Sequence, residues 1–114
     1  MTVGGVPVQW IAGNEPFIDA NSRTMVPLRA VGSALGLSVD WNAAAREASF
    51  SDGRKTIYFP IGKDAARTSG GRTIPMDTSA VIVNGSTYAP VRYLAEFFGH
   101  TVDWDGATRT VIIK

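Results

Sequence analysis

Met25-Val26-Pro27-Leu28-Arg29-Ala30-Val31-Gly32-Ser33-Ala34-Leu35-Gly36, running on into Leu37-Ser38-Val39-Asp40-Trp41, decides how this chain is read. Proline suits a helix start, where its missing N–H has no intrahelical partner. Leu28, Val31 and Leu35 fall at i, i+3 and i+7 and form one apolar stripe. Gly36 can take the left-handed conformation that ends a helix. Leu37, Val39 and Trp41 then alternate with Ser38 and Asp40, as on a half-buried strand. The same pattern returns 63 positions later as Tyr88-Ala89-Pro90-Val91-Arg92-Tyr93-Leu94-Ala95-Glu96-Phe97-Phe98-Gly99, then His100-Thr101-Val102-Asp103-Trp104. Aligned without a gap, residues 16–51 and 79–114 agree at ten positions, among them Pro27, Arg29, Gly36, Asp40 and Trp41 with Pro90, Arg92, Gly99, Asp103 and Trp104.

Outward from these stretches the chain reads as short strands and turns. Residues 2–12 are extended, with a hairpin at Gly4-Gly5, and Val6, Val8 and Trp10 alternate toward one face. Asp52-Gly53 and Asn84-Gly85 are two-residue hairpin signals. Phe17–Ala20, Glu47–Ser51, Lys55–Ile61, Ala65–Thr68, Ala80–Val83 and Thr110–Lys114 read as strands, and residues 62–79 join the two copies. The spacing therefore predicts an α+β fold, with antiparallel sheets curled around two short helices. Two strand–strand–helix–strand–strand units, residues 2–61 and 62–114, make one domain over 1–114. One short helix cannot build a core alone, so the units are expected to share one, with Trp41 and Trp104 as large buried anchors. Gly32, inside the first helix where the second has Ala95, costs up to about 1 kcal/mol relative to alanine unless close packing offsets it.

Composition narrows the function. A chain of 114 residues buries roughly two-thirds of its extended surface and needs no metal or disulfide to fold. It has no cysteine, hence no thiolate zinc site. A net charge of +1 gives no field for nucleic acid or an anionic membrane. No apolar run approaches the roughly 20 residues of a membrane span, and Met1-Thr2-Val3-Gly4-Gly5 does not read as a secretion signal.

Val26-Pro27-Leu28-Arg29, Leu35-Gly36 and Val39-Asp40-Trp41, with Ala89-Pro90-Val91-Arg92, Phe98-Gly99 and Val102-Asp103-Trp104, resemble the copper amine oxidase N-terminal-like domain, also called a stalk domain. The resemblance covers nearly the whole chain. It implies an antiparallel sheet wrapped around a helix, remote from any catalytic domain, and an extracellular or cell-surface setting in Gram-positive bacteria, beside enzymes or wall-binding domains. It implies no activity of its own.

The candidate residues for chemistry are few. A copper site built from imidazoles needs several histidines; this chain has His100 alone, at a strand position where the first copy has Leu37. Tyr58, Tyr88 and Tyr93 have no copper site in which a quinone could form. No metal, cofactor or catalytic residue is assigned. Arg29 and Arg92, repeated in the first helical turn, are expected to bridge helix to sheet through carbonyls or a nearby aspartate; an anion site at the helix start is the alternative. Asp103 and Asp105 flank Trp104, but Asn42 replaces the second acid in the other copy, so turn formation explains them better than hydrolysis. Tyr93 and Phe97 form an aromatic pair off the apolar stripe and, with Trp10, are the candidate ligand or partner surface.

The sequence thus points to a non-catalytic spacer or binding module of an exported bacterial protein. Its partners would be neighbouring domains, a protein or wall polysaccharide. The alternatives are a small glycoside- or peptidoglycan-acting hydrolase and a self-association module built on end strands such as Thr110–Ile113.

Overall fold

The computed structural model describes residues 1–108 and 110–114; Arg109, which aligns with Arg46, lies outside the described residues. The fold is α+β, with two short helices and mostly antiparallel sheets. The strands are β1 (Thr2–Val3), β2 (Val6–Pro7), β3 (Phe17–Ile18), β4 (Thr24–Pro27), β5 (Ser38–Asn42), β6 (Glu47–Ser51), β7 (Thr56–Pro60), β8 (Ala65–Thr68), β9 (Thr73–Pro75), β10 (Val81–Val83), β11 (Ser86–Pro90), β12 (Val102–Asp105) and β13 (Thr110–Ile113). Helix α1 (Leu28–Ala34) follows β4 and α2 (Val91–Phe97) follows β11.

Three sheets result, in strand orders β10-β11-β4-β3, β12-β13-β1-β2 and β5-β6-β7-β8-β9. In the first, β4 and β11 pair antiparallel, with Met25 opposite Pro90, Val26 opposite Ala89 and Pro27 opposite Tyr88. In the second, β1 and β13 pair parallel, with Thr2 opposite Ile112 and Val3 opposite Ile113. Edge positions fall to β12 and β2, β10 and β3, and β5 and β9.

Both helices begin and end by the same local means. Pro27 closes β4 in an extended conformation (φ −70°, ψ 110°) and Pro90 closes β11 likewise (φ −60°, ψ 130°). Each proline thus stands one residue ahead of its helix rather than in the first turn. Proline also disfavours helix in the residue before it, which keeps Val26 and Ala89 extended. At the far end Gly36 (φ 76°) and Gly99 (φ 86°) reverse the chain. Leu37 N–H donates to the Gly32 carbonyl (2.8 Å) and Gly36 N–H to Ser33 (3.1 Å); His100 donates to Ala95 (3.0 Å) and Gly99 to Glu96 (3.0 Å). These paired bonds satisfy carbonyls that the helix end leaves open, and positive φ suits a residue without Cβ.

One cluster of buried side chains draws on both halves. Leu28, Val31, Phe50, Ile57 and Phe59 join Leu94, Ala95 and Ile113, all essentially inaccessible. Phe50 meets Phe59 edge-on at 5.9 Å. Gly32 lies under Phe50: a Cβ there would stand 2.9 Å from Phe50 Cδ2 and 3.3 Å from Val39 Cγ2. Close packing therefore accounts for glycine inside the helix.

Two expectations are corrected. Trp41 and Trp104 are not core anchors: Trp41 is 42% and Trp104 54% exposed. Both point to the core side of their sheets, but from the ends of edge strands, next to a turn, so the indoles overhang the core instead of entering it. Asp52-Gly53 is not a two-residue hairpin. Ser51 pairs with Thr56, leaving four residues in the loop. The Asp52 carboxylate accepts the Arg54 and Lys55 N–H groups, both at 2.9 Å, and so builds a longer turn. Asn84-Gly85 does close a two-residue hairpin, both residues at positive φ.

Candidate functional site

The two exposed tryptophans each wall a groove. Beside Trp41 lies a groove of about 250 Å³, bordered by Arg29 of α1, Asp40 of β5, and Gly85 and Thr87 of the β10–β11 hairpin. Beside Trp104 lies one of about 380 Å³, bordered by Arg92 of α2, Asp103 of β12, and Ser22 and Thr24 at the head of β4. The two borders correspond position by position under the 63-residue offset: 29 with 92, 40 with 103, 41 with 104, 85 with 22, 87 with 24. Each groove takes its arginine and tryptophan from one half of the chain and its opposite lip from the other. The crossing follows from the β4–β11 ladder, whose antiparallel register carries the head of each strand to the other half.

The polar groups differ between the grooves. Among the described residues, neither the Arg29 nor the Asp40 side chain has a hydrogen-bond or ion-pair partner. The expected tie from arginine to sheet is therefore not made. Arg29 is exposed, on the face of α1 away from buried Leu28 and Val31, and Arg92 pairs with Glu96 on its own helix at 3.4 Å. In the second groove Asp103 meets Lys114 Nζ at 3.1 Å.

The Trp104 groove is also fixed at its lip. Arg23 is ion-paired to Asp77, which accepts a second hydrogen bond from the Tyr93 hydroxyl at 3.2 Å. The Arg23 guanidinium, hydrogen-bonded to it, holds the Asp77 carboxyl down at about 2. Burial pushes the Tyr93 phenol up, and the Asp77 carboxylate adds to the rise. Nearby, Asp19 accepts the Arg23 N–H at 2.8 Å and the Thr78 hydroxyl at 2.7 Å, and the Arg23 N–H leads in holding its carboxyl below the usual range.

The sequence candidates separate in space. Tyr93, half-buried, borders the Trp104 groove. Trp10, half-buried, lies across Trp104 in an adjoining cleft with Phe17 and Ile18. Phe97 stands apart: it meets Phe98 edge-on at 4.9 Å, and Lys55 Nζ sits 4.8 Å from its ring centroid. Trp41 and Trp104 are what sequence reasoning misplaced. Their one available signal was position, since Asn42 and Asp105 directly after them open turns: Asn42 Oδ1 accepts the Ala45 N–H at 3.1 Å and Asp105 Oδ1 the Ala107 N–H at 3.0 Å.

Among the described residues, no three His, Cys, Asp or Glu side chains converge as a metal site. His100 Nδ1 lies 3.3 Å from the Lys114 carbonyl oxygen. Asp105 is committed to its turn and Asp103 to Lys114, so the pair flanking Trp104 does not converge on a common point. A separate charged cluster crosses the five-stranded sheet: Arg67 donates to both Glu47 oxygens at 2.8 Å and stacks 4.3 Å from the Tyr58 centroid. Among the described residues no helix is long and apolar enough to cross a membrane.

Comparison with known proteins gives this arrangement its setting. The family model described as "Copper amine oxidase N-terminal domain" matches residues 2–113, and the chain belongs to that family. The chain is also similar to a protein called "Protease inhibitor" from Brevibacillus choshinensis, 29% identical over 97 residues. That match covers 84% of this chain and 29% of the relative, so the chain spans under a third of that protein's length. No solved structure matches it significantly.

Proposed function

We propose that this chain is a non-catalytic binding module of an exported bacterial cell-surface protein. It is one domain of two tandem units sharing a core. The observation that carries the reading is the pair of indoles, 42% and 54% exposed, set beside grooves whose carboxylates are either ion-paired, Asp77 to Arg23 and Asp103 to Lys114, or single, as Asp40 is. Tryptophan is the costliest apolar surface to leave in water, and exposed aromatic surface at a concavity marks recognition. Membership of an amine oxidase N-terminal family supports a role beside catalysis rather than in it. The setting outside the cell and the neighbouring domains are inferred from the same membership.

A protein-directed role has one specific observation in its favour, the similarity to a protein called a protease inhibitor. Two measurements test the proposal together. Sedimentation with isolated Gram-positive cell walls reads binding to wall material. Inhibition of a panel of serine, cysteine and metalloproteases reads binding to protein. Binding in either assay without turnover of polysaccharide or peptide is the expected result; hydrolysis of either substrate by the purified chain would overturn it.

A further inference from the structure

We infer that the Trp41 and Trp104 grooves are two equivalent subsites for single rings of an uncharged, repeating polysaccharide. The inference rests on the binding-module reading and names its ligand.

Three observations lead to it. The first is chemical. Each groove offers a broad indole face, Trp41 or Trp104, beside a corresponding arginine and aspartate, Arg29 and Asp40 or Arg92 and Asp103. A sugar ring has an apolar face of C–H groups and a rim of hydroxyls. An indole covers the former, while a guanidinium donates and a carboxylate accepts around the latter. At the Trp41 groove Arg29 and Asp40 keep those capacities unspent among the described residues.

The second observation is electrostatic. The Trp41 groove holds one cation and one anion, Arg29 and Asp40, and the Trp104 groove two of each, Arg23 and Arg92 with Asp77 and Asp103. Neither carries a field that selects a charged ligand. The volumes, about 250 and 380 Å³, lie at or below the small end of pockets that enclose drug-sized ligands, roughly 300–1,000 Å³. One ring fits such a space; a helix does not.

The third observation is the duplication. The two borders are assembled by corresponding residues, one lip from each half of the chain. Two like sites on one small domain suit a ligand that presents the same unit repeatedly. A partner protein presents such a repeat only where it is symmetric or built of repeats. Two weak sites on one chain then add by effective concentration.

Affinity electrophoresis of the whole chain through gels containing a mixed-linkage β-glucan, a glucomannan or glycol chitin tests this. At least one polymer is expected to retard the protein. Trp41→Ala and Trp104→Ala are each expected to weaken that retardation about tenfold, equivalent to 1.4 kcal/mol, and the double variant to abolish it. Trp41→Phe and Trp104→Phe keep an aromatic face and should retain most of it. Thermal melts show that the alanine variants are still folded at the assay temperature; a lower Tm is expected, since about half of each indole is covered. No retardation by any of the three polymers overturns the inference, as does retardation indifferent to both alanine substitutions. If instead the alanine variants lose inhibition of a protease while no glycan binds, the grooves are protein contacts: the glycan inference falls and the binding-module reading stands. Failure in the glycan, cell-wall and protease assays alike removes both.

Discussion

Val26 and Ala89 face each other at the midpoint of the β4–β11 ladder, and both are fully buried. They are also corresponding positions of the two similar stretches, so the ladder reads the same from either side: Met25 meets Pro90, and Pro27 meets Tyr88. The two halves thus meet through the strands that feed their helices. Val26→Ala removes two methyl-sized groups from this midpoint. About 2 kcal/mol of stability should be lost to transfer and cavity together, with a fall in Tm of about 4 °C per kcal/mol or more. Calorimetry checks it, and an unchanged melt would show that the midpoint carries no shared packing.

Gly32 and Phe50 answer to Ala95 and Ile113, both fully buried in the other half. Where the helix has glycine the strand has the larger ring; where it has alanine the strand has the smaller chain. Gly32→Ala should therefore destabilise, although alanine is the better helix former by up to about 1 kcal/mol. The added methyl would stand 2.9 Å from the Phe50 ring, and overpacking of that kind costs about 1–3 kcal/mol. Gly32→Ala with Phe50→Ile should recover much of the loss. A double-mutant cycle by urea denaturation reads the coupling, and additivity of the two changes would sink the explanation.

Asp77 gives the fold an acid-sensitive clasp. Its carboxyl sits at about 2 in the folded chain, against an ordinary value near 3.8, because Arg23 bonds to the charged form. A lowered folded value means that the pair contributes stability above about pH 4 and loses it as the pH falls toward 2. Asp19, also lowered, adds in the same direction. Arg23→Met should lower stability above about pH 4 by an amount that vanishes toward pH 2, so the acid limb flattens while the profile between pH 6 and 8 falls without changing slope. Denaturant midpoints across this range measure it; an equally steep acid limb in the variant would assign the sensitivity elsewhere.

Arg67 screens a carboxylate that has little water of its own: the Glu47 side chain is only 10% exposed and receives both bonds from one guanidinium. Arg67→Ala leaves the Glu47 side chain poorly solvated and without its hydrogen-bond partner, and also uncovers Tyr58. The cost should be about 1–2 kcal/mol, below that of a fully buried pair because the arginine side chain is 54% exposed. Arg67→Ala with Glu47→Gln should lose less than Arg67→Ala alone. If the single variant melts with the parent, the pair is ornamental.

The helices were legible because their start, stripe and stop are local. Proline, leucine–valine spacing and glycine each act within one turn of chain. The hairpin at Asn84-Gly85 was legible for the same reason, since both residues must adopt positive φ. The loop after Ser51 was not, because the Asp52 side chain competes for the backbone and lengthens the turn. The tryptophans were misread because alternation gives the side of a sheet, while exposure depends on which strand lies at the edge and where the next sheet ends. That is a property of the β5 and β12 edges and the neighbouring hairpins, which no local pattern records. Arg29 and Arg92 were misassigned likewise: a recurring arginine suggests a bond to the sheet, but the side chain leaves α1 and α2 on the face that the core does not use.

The parallel pairing of β1 with β13 has a mechanical side. Tension applied to the chain beyond these two strands pulls them in opposite directions along a common axis. Parallel neighbours pulled apart in this way are sheared, so their hydrogen bonds bear the load together, whereas antiparallel neighbours drawn from one end would open bond by bond. The Gly4 N–H to Ile113 carbonyl bond, 2.9 Å long, extends the loaded segment by one residue. Under a pull applied at both ends, this ladder is the latch that tension meets first. Single-molecule pulling would register it as an early force peak, lowered by Thr2→Pro, since the register turns the N–H of Thr2, like that of Gly4, toward β13.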